Sequence, residues 1–200
     1  MGFQLVIMKE MNQRVKKMIE LKRGDISQLD SQVDAIVNAA NTALIPGGGV
    51  DGALNRAAGP ELKQAMAEIG GTPTGTAVIT PAFGLLAKYV IHAVGPRYID
   101  GKHDEERLLY SAYEAVFQLA RENAIETLAV PVLSAGIYRY PKEAAARVLY
   151  NVANRRENQK IVTQVIVFDD TWLSIFANIQ TDYTNENDYF FYQKFYKMVN

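Results

Sequence analysis

The sequence predicts a single α/β domain, because runs rich in Val and Ile alternate with segments that have helical periodicity. Several of these runs are apolar almost throughout, which is typical of strands that are buried on both faces of a sheet. The chain has 200 residues, a suitable length for one domain with a substantial core. It contains no internal repeat and no low-complexity linker, so no internal domain boundary is predicted.

The apolar runs define the predicted strands, and the amphipathic segments between them define the predicted helices. The strands are, in chain order, Phe3–Met8, Met18–Lys22, Asp34–Asn38, Thr76–Thr80, Tyr89–Ala93, Thr127–Val132 and Val162–Phe168. The helices are Gly52–Ala58, Glu61–Glu68, Glu105–Asn123, Lys142–Asn154 and Thr171–Asn178. The longest helix has the clearest pattern, since its apolar residues recur at helical spacing and form one core-facing stripe.

The two ends of the chain differ from this α/β pattern. Residues 1–17 are predicted to add an N-terminal strand and a connector. The last segment, Thr181–Asn200, carries seven aromatic residues, which is too many for a solvated tail. It predicts either a final helix packed against the domain or a surface that contacts a partner.

Composition excludes several classes of function. A formal net charge of −1 argues against broad nucleic-acid binding, for which a basic face is typical. The absence of cysteine excludes disulfides, thiolate zinc sites and a cysteine nucleophile, and two histidines argue against a histidine-based metal site. No apolar run approaches the roughly 20 residues of a membrane-spanning helix, and the N-terminus lacks a signal-peptide pattern. We therefore expect a cytoplasmic monomer with no membrane partner, no metal and no cofactor.

One stretch of the chain carries most of the functional information. An apolar strand runs into Asn38-Ala39-Ala40-Asn41, and Gly47-Gly48-Gly49-Val50-Asp51-Gly52 follows. Consecutive glycines let backbone N–H groups approach a ligand closely, and converging N–H groups form a nest that holds an anion such as a diphosphate. The amides of Asn38 and Asn41 offer donors and acceptors to a ligand rich in hydroxyls. A carboxylate beside such a nest is unfavourable, so Asp51 either points away or takes part in chemistry.

The same glycines match the G-x-G-x-x-G pattern of dinucleotide-binding folds, but their surroundings do not. In that motif the glycine loop follows its strand directly, and an acidic residue ends a second strand about 20 residues later. Here eight residues separate Asn38 from Gly47, and the region near residue 70 is predicted as helix and loop. No Gly-Lys-Ser/Thr follows, so the pattern of a P-loop is also absent.

A second glycine-containing loop, Leu133-Ser134-Ala135-Gly136-Ile137-Tyr138-Arg139-Tyr140-Pro141, follows the predicted strand Thr127–Val132. Ligands of α/β sheets bind beyond such strand ends. Together with the first stretch, with Gly24-Asp25-Ile26 and with the segment Tyr89–Pro96, this loop resembles the macro domain family over roughly Met18–Ile179. Members of this family bind ADP-ribose, and many hydrolyse ADP-ribose esters. The resemblance implies a three-layer α/β/α sandwich with a mixed, mostly parallel central sheet.

The resemblance also assigns residues to the adenine end of the ligand. Asp25 would accept a hydrogen bond from the adenine amino group, while the backbone N–H of Ile26 would meet the ring. The alternative for Asp25 is a turn or helix-capping residue. Phe168 lies where family members stack an aromatic ring on adenine, and a core phenylalanine at a strand end is the alternative.

At the other end of the ligand, the resemblance implies that Asn41 faces the distal ribose and that Asn38 braces the loop. Both could instead be turn asparagines. Backbone N–H groups of the second loop, from Ser134 to Tyr138 (Ala135, Gly136 and Ile137 between them), would close over the diphosphate opposite Gly48, Gly49 and Val50. Tyr138 would pack across the distal ribose. A tight turn explains Gly136 and Pro141 but not the exposed Ile-Tyr pair.

For Asp51 two compatible roles are predicted. It precedes the predicted helix at Gly52 and could cap it. In the resembled hydrolases, the aspartate of this pattern lies near the anomeric carbon of the distal ribose, where it could orient or deprotonate water. His92, inside an apolar strand, is interpreted as a core histidine with its hydrogen bonds satisfied.

The chain departs from the family pattern at three positions. Asn55 stands where many hydrolytic members have histidine, which weakens any mechanism that needs an Asp–His pair. Ala135 and Arg139 replace more common residues of the second loop. Arg139 could supply a cation to the diphosphate or crowd the distal ribose.

The resemblance implies a hydrolase that acts on ADP-ribose esters, either mono-ADP-ribosylated Asp and Glu side chains or O-acetyl-ADP-ribose. The catalytic residues would be Asp51 and Asn41. The main alternative is a reader that binds ADP-ribose or ADP-ribosylated protein without turnover. A third hypothesis, an RNA- or poly(A)-binding module, is least favoured because the net charge is near neutral.

Overall fold

The computed structural model describes residues 19–182. Within them lie six strands: β1 (Ile19–Arg23), β2 (Val33–Ala39), β3 (Ala77–Pro81), β4 (Ala87–Ala93), β5 (Thr127–Val130) and β6 (Val162–Val167). The helices are α1 (Gly49–Ala58), α2 (Pro60–Ile69), α3 (Glu105–Glu122), α4 (Lys142–Ala153), the short 3-10 helix Arg156–Asn158, and α5 over residues 171–182. The predicted N-terminal strand Phe3–Met8 and the aromatic residues beyond position 182 lie outside the described residues.

The strands form one sheet in the order β1-β6-β5-β2-β4-β3. Every neighbouring pair is parallel except β3 and β4, which are antiparallel, so the sheet is mixed and mostly parallel as predicted. Parallel strands end at the same edge of a sheet. The segments that follow β1, β2, β4, β5 and β6 therefore meet at one edge.

Helices cover both faces of the sheet, which gives the predicted three-layer sandwich. Adjacent residues of a strand point to opposite faces, and in β4 Val90 and Ile91 belong to different hydrophobic clusters. One cluster joins the sheet to α3, α4 and α5, and the other joins it to α1 and α2. Burial on both faces explains why the strands are apolar almost throughout.

Local sequence fixes where the helices begin and end. α2 has Pro60 at its first position, where a missing N–H costs nothing, and after Ile69 it is capped by Gly70, whose left-handed backbone (φ 79°) suits glycine. α3 buries most of the predicted apolar stripe, including Leu109 and Val116, against the sheet, together with Phe117, which the stripe did not include. Among residues 19–182, every helix is too short or too polar to cross a lipid bilayer.

Most element boundaries differ from prediction by one to three residues, and three of these differences have a physical reason. β5 ends at Val130 because Pro131 has no N–H with which to extend the ladder. β6 ends at Val167, so Phe168 lies after the strand. α1 begins at Gly49 rather than Gly52, and the prediction that Asp51 precedes the helix was wrong. Glycine has a low helix propensity, so the pattern placed the start after the glycines, whereas Asp51 lies in the first turn.

Candidate functional site

A cavity of about 570 Å³ lies at the edge where the parallel strands end. This volume suits a small-molecule ligand. We call residues 40–48, between β2 and α1, the first loop, and residues 131–141, between β5 and α4, the second loop. Both loops line the cavity, together with the start of α1, the end of β6, and the side chains of Arg97, Lys142 and Trp172.

The carboxylate of Asp51 is the centre of a buried hydrogen-bond network. The residue is only 3% exposed, although it lines the cavity. Its Oδ1 accepts hydrogen bonds from Nδ2 of Asn38 at 2.6 Å and from Nδ2 of Asn55 at 3.2 Å, and its Oδ2 accepts one from the N–H of Gly47 at 2.5 Å. Such donors compensate the cost of burying a charge. Asp51 therefore ties the first loop to both α1 and β2.

The network continues from Asn38 to His92 of β4. Nδ2 of Asn38 lies 3.1 Å from Nδ1 of His92, and Nε2 of His92 lies 2.9 Å from Oγ1 of Thr80. Burial lowers the pKa of His92 to about 4, so the imidazole is neutral near pH 7. An amide NH₂ can only donate, so Nδ1 accepts and the ring proton belongs on Nε2, facing Thr80. His92 is a core histidine with both nitrogens satisfied, as predicted.

Asn41 shapes the first loop from within. Its Nδ2 donates to the carbonyl of Ile45 at 2.6 Å, and its Oδ1 accepts from the N–H of the same residue at 3.3 Å. The side chain also lines the cavity. The turn role is therefore present in the structure, and the predicted contact with a ribose stays a prediction.

The second loop presents a row of backbone donors. Its closing bonds run from the N–H of Tyr140 to the carbonyl of Ser134 and from the N–H of Arg139 to the carbonyl of Gly136, both at 3.0 Å. Within the described chain, the N–H groups of residues 135–138 make none of the loop's backbone hydrogen bonds. Ser134 and Arg139 adopt left-handed conformations, with φ of 65° and 56°. These turns give the loop the shape of an anion cradle.

The first turn of α1 offers the opposing donors. The N–H groups at a helix start have no partner within the helix, and here they belong to Gly49, Val50 and their neighbours. Ile137 of the second loop closes over them. A Cβ placed on Gly48 would lie 3.2 Å from Cδ1 of Ile137, so the glycine leaves room for this contact. The two loops thus touch above the cavity.

Two cations at the cavity were not identified from the sequence. The guanidinium of Arg97 lies 4.7 Å from the ring centroid of Tyr138. The ammonium of Lys142 lies 5.0 Å from the ring centroid of Trp172 and 3.5 Å from a carboxylate oxygen of Asp169. Arg97 follows β4 at the ligand-binding edge, and this position after a strand end could have identified it from the sequence as a cavity residue. Arg139, which the sequence singled out, is exposed and does not line the cavity.

The residues predicted at the adenine end are only partly brought together. Phe168 lines the cavity and is 60% exposed, so the alternative of a core phenylalanine was wrong. Asp25 does not line the cavity, and its Oδ1 accepts hydrogen bonds from the N–H and Oγ of Ser27 at 2.9 and 2.8 Å. Ile26 is buried. Arg23 pairs with Val167, so the predicted adenine residues do follow adjacent strands at one edge.

One further cluster has the composition of a metal site. Asp100, His103 and Glu105 bring three candidate ligand atoms within 4.8 Å of one another. The carboxylate of Glu105, however, accepts hydrogen bonds from the N–H groups of Ile99, 100, 101 and 103. Burial raises the pKa of Glu105, but these backbone donors outweigh it and lower the pKa to about 2. The cluster is therefore already explained by its role in holding residues 99–103.

The sequence is similar to known proteins along most of its length. The family model described as Macro domain matches residues 37–149. A macro domain-containing protein of Caldanaerobacter subterraneus is 46% identical over 169 residues, which cover 82% of this chain and 95% of the relative. A protein of Escherichia fergusonii named O-acetyl-ADP-ribose deacetylase is 49% identical over 138 residues, covering 67% of this chain and 77% of the relative.

Solved structures give the same result. The macrodomain of Oceanobacillus iheyensis with ADP is 32% identical and has a TM-score of 0.76, covering 84% of this chain and 92% of that one. The Trypanosoma brucei macrodomain in complex with ADP-ribose is also 32% identical, with a TM-score of 0.72, and covers 81% of this chain and 68% of that one.

Proposed function

The chain belongs to the macro domain family, and on this premise we propose that it binds ADP-ribose in the cavity and hydrolyses an ADP-ribose ester. The substrate would be a mono-ADP-ribosylated Asp or Glu side chain or O-acetyl-ADP-ribose. Relatives named O-acetyl-ADP-ribose deacetylase support the reaction class, and structural neighbours with ADP or ADP-ribose support the ligand.

The cavity has donors where an extended nucleotide diphosphate needs them. The residues at the start of α1 and residues 135–138 line the cavity from two different segments, and their N–H groups are not used within the helix or the loop. Helix N-termini and backbone nests both favour anions. Arg97 adds positive charge at Tyr138. We assign the diphosphate to this position, the adenine to the end near Phe168, and the distal ribose to the end near Asn41 and Asp51.

Asp51 retains some capacity for chemistry in spite of its hydrogen bonds. A carboxylate has about four lone-pair sites, and the network occupies three of them. The remaining site can hold a water or a ribose hydroxyl at the cavity wall. In the proposed mechanism Asp51 places or activates water, Asn41 holds the ribose hydroxyls, and no metal takes part. A positioned base of this kind contributes typically about 10²–10⁴-fold in rate.

A single observation carries the proposal: a buried carboxylate lines the same cavity that two sets of backbone N–H donors enclose. A reader that binds ADP-ribose without turnover is the second candidate. It is favoured by Asn55, whose Nδ2 donates to the backbone carbonyl of Asp51 at 2.9 Å as well as to its carboxylate. An amide in this position holds Asp51 but has no proton to exchange at neutral pH.

The test is a time course of ADP-ribose release from a glutamate-linked mono-ADP-ribosylated protein and from O-acetyl-ADP-ribose. Wild type, Asp51→Ala and the exposed control Asp30→Ala are compared, and calorimetry measures the affinity of each for ADP-ribose. We expect release by wild type and Asp30→Ala and a fall of about 10²-fold or more in Asp51→Ala.

Binding by wild type without release from either ester would establish the reader instead. Normal turnover by Asp51→Ala would remove this carboxylate from the mechanism. A folded wild-type protein that neither binds ADP-ribose nor releases it would overturn both candidates.

A further inference from the structure

A chain of buried polar groups runs through the sheet to the first loop. It passes from Thr80 in β3 to His92 in β4, to Asn38 in β2 and to Asp51 in α1, and it ends at the N–H of Gly47. None of these four side chains belongs to a residue more than 4% exposed. The three strands are neighbours, and Asn38 is directly paired with His92 in the register of β2 and β4.

The position of Asn38 depends on both of its partners. Its Nδ2 carries two hydrogens, one for Oδ1 of Asp51 and one for Nδ1 of His92. Within residues 19–182 its Oδ1 has no hydrogen-bond partner, so only the two donated bonds fix the amide. If the amide were reversed, its oxygen would face the carboxylate of Asp51 and the lone pair of His92. Both contacts would be repulsive, and the buried groups would have no water with which to replace them.

The ring of His92 therefore selects one orientation of the Asn38 amide. It can do so only while Nδ1 is an acceptor, and the bond from Nε2 to Thr80 Oγ1 keeps the ring proton on the other nitrogen. The hydroxyl of Thr80 in turn donates to the carbonyl of Pro81 at 3.0 Å, which leaves its oxygen free to accept from His92. Every donor along this path has an acceptor.

We propose that His92 is a positioning residue for the candidate site. As the neutral tautomer with its proton on Nε2, it orients Asn38 so that this amide holds the carboxylate of Asp51, which in turn holds Gly47 and the first loop. His92 does not line the cavity. Its effect on hydrolysis rests on the proposed function, whereas its effect on the shape of the first loop does not.

Two substitutions test separately the roles of the two nitrogens of the His92 ring. His92→Asn places an amide oxygen near the former Nδ1 and can still accept from Asn38. His92→Gln reaches the position of Nε2 and Thr80 but offers no matched acceptor to Asn38. Thr163→Val is the control, since Thr163 is equally buried in the sheet and its hydroxyl has no hydrogen-bond partner within the described chain.

We expect His92→Gln to lower kcat about tenfold or more with a smaller change in KM, on the scale seen when a buried donor loses its acceptor. His92→Asn should recover most of the activity, and Thr163→Val should match wild type. All rates are measured well below the melting temperature of each variant, so that unfolding does not contribute. Equal losses in both His92 variants, or full activity of His92→Gln, would overturn the proposal.

An NMR measurement tests the inference without any turnover. Long-range ¹H–¹⁵N correlation of wild type at pH 7 should show His92 protonated on Nε2 alone. The side-chain NH₂ of Asn38 should be protected from exchange in wild type and His92→Asn and exposed in His92→Gln. A ring protonated on Nδ1 would contradict the inference. If the wild type proves to be a reader, these NMR results still support or overturn the inference, because they require no turnover.

Discussion

The two loops that meet over the cavity are held by different kinds of interaction. The first loop has backbone bonds at residues 40, 42 and 44, but its glycine end is held by a side chain. There Asp51 accepts from Asn38, Asn55 and the N–H of Gly47.

The second loop is closed at its tip by its own backbone, through bonds between residues 134 and 140 and between 136 and 139. At its base a side chain also holds it, since the Tyr113 hydroxyl donates to the carbonyl of Pro131 and accepts from the N–H of Leu133. A further backbone bond joins the N–H of Tyr98 to the carbonyl of Tyr138 at 2.9 Å.

This difference determines which changes each loop tolerates. The conformation of the first loop depends on a few specific side chains, so replacing one of them leaves a buried donor or charge without its partner. The conformation of the second loop depends mainly on its backbone hydrogen bonds, so its side chains can vary as long as they allow the same backbone conformation. The departures Ala135 and Arg139 change none of the backbone bonds that close the second loop. Asn55, in contrast, joins the network of the first loop.

The strongest way to break the comparison is to add one methyl group in α1, against the first loop, and one within the second loop. In Gly52→Ala the new Cβ would overlap the carbonyl oxygen of Gly47, which is backbone and cannot move without the loop. We expect unfolding to become easier by about 1–3 kcal/mol, as for overpacked interiors. The affinity for ADP-ribose should also fall, because Gly47 and its neighbours must shift. Thermal unfolding and calorimetry measure the two effects.

Gly136→Ala is the matched control for this prediction. No atom lies within 4 Å of a Cβ built at Gly136, so the second loop has room for the methyl group. The melting temperature of this variant should stay within a degree or two of wild type, since surface substitutions usually change stability by less than about 0.5 kcal/mol. Equal destabilisation by the two alanines would show that the loops do not differ in the way described.

A smaller effect is expected at residues 99–103, next to the second loop, because there a carboxylate binds backbone N–H groups. Glu105 accepts four N–H groups of residues 99–103, and its pKa is lowered from 4.5 to about 2. A lowered pKa stabilises the folded state above the ordinary pKa, and the contribution is lost as the pH falls towards the folded value. Glu105→Gln should therefore melt below wild type at pH 7, and the gap should close between about pH 4.5 and pH 2.

The adjacent and exposed Glu106 provides the control. Glu106→Gln should melt like wild type throughout this pH range. ADP-ribose affinity should be unchanged in both variants at pH 7, because the second loop is closed by its own backbone bonds. A large loss of affinity in Glu105→Gln would mean that the second loop depends on a side-chain network after all.

Much of the fold follows from local pattern. The strands could be predicted because both of their faces are buried and their sequences are therefore apolar almost throughout. α3 could be predicted because its apolar stripe faces the sheet. The errors occur where tertiary contacts override propensity. α1 starts within the glycines because Asp51 can bond back to Gly47 and across to Asn38 only from the first turn of the helix. No local propensity carries that information.

The candidate site divides in the same way. The loops and Asp51 were identified because they are contiguous motifs, and Asn41 because it follows a strand. Arg97 was missed because it enters the cavity from a third strand end, and His92 was interpreted as core although it joins the site through Asn38. Partners that are 54 residues apart in sequence meet only through strand register, which pattern alone does not fix.

The smallest expected effect is at Arg139, where a substitution can stabilise the protein because the residue has a left-handed φ of 56°. Such a conformation costs a residue with a Cβ about 1–2 kcal/mol, whereas a glycine adopts it freely but loses about 0.4–1 kcal/mol through the entropy of the unfolded chain. Arg139→Gly should therefore raise the stability by about 0.5 kcal/mol, or a degree or two in melting temperature. Arg139→Ala keeps the strain and should gain nothing. The side chain is exposed and outside the cavity, so neither variant should alter ADP-ribose affinity. If only glycine raises the stability, the backbone conformation at residue 139 is what destabilises the second loop. If alanine raises it as well, the arginine side chain is the cause.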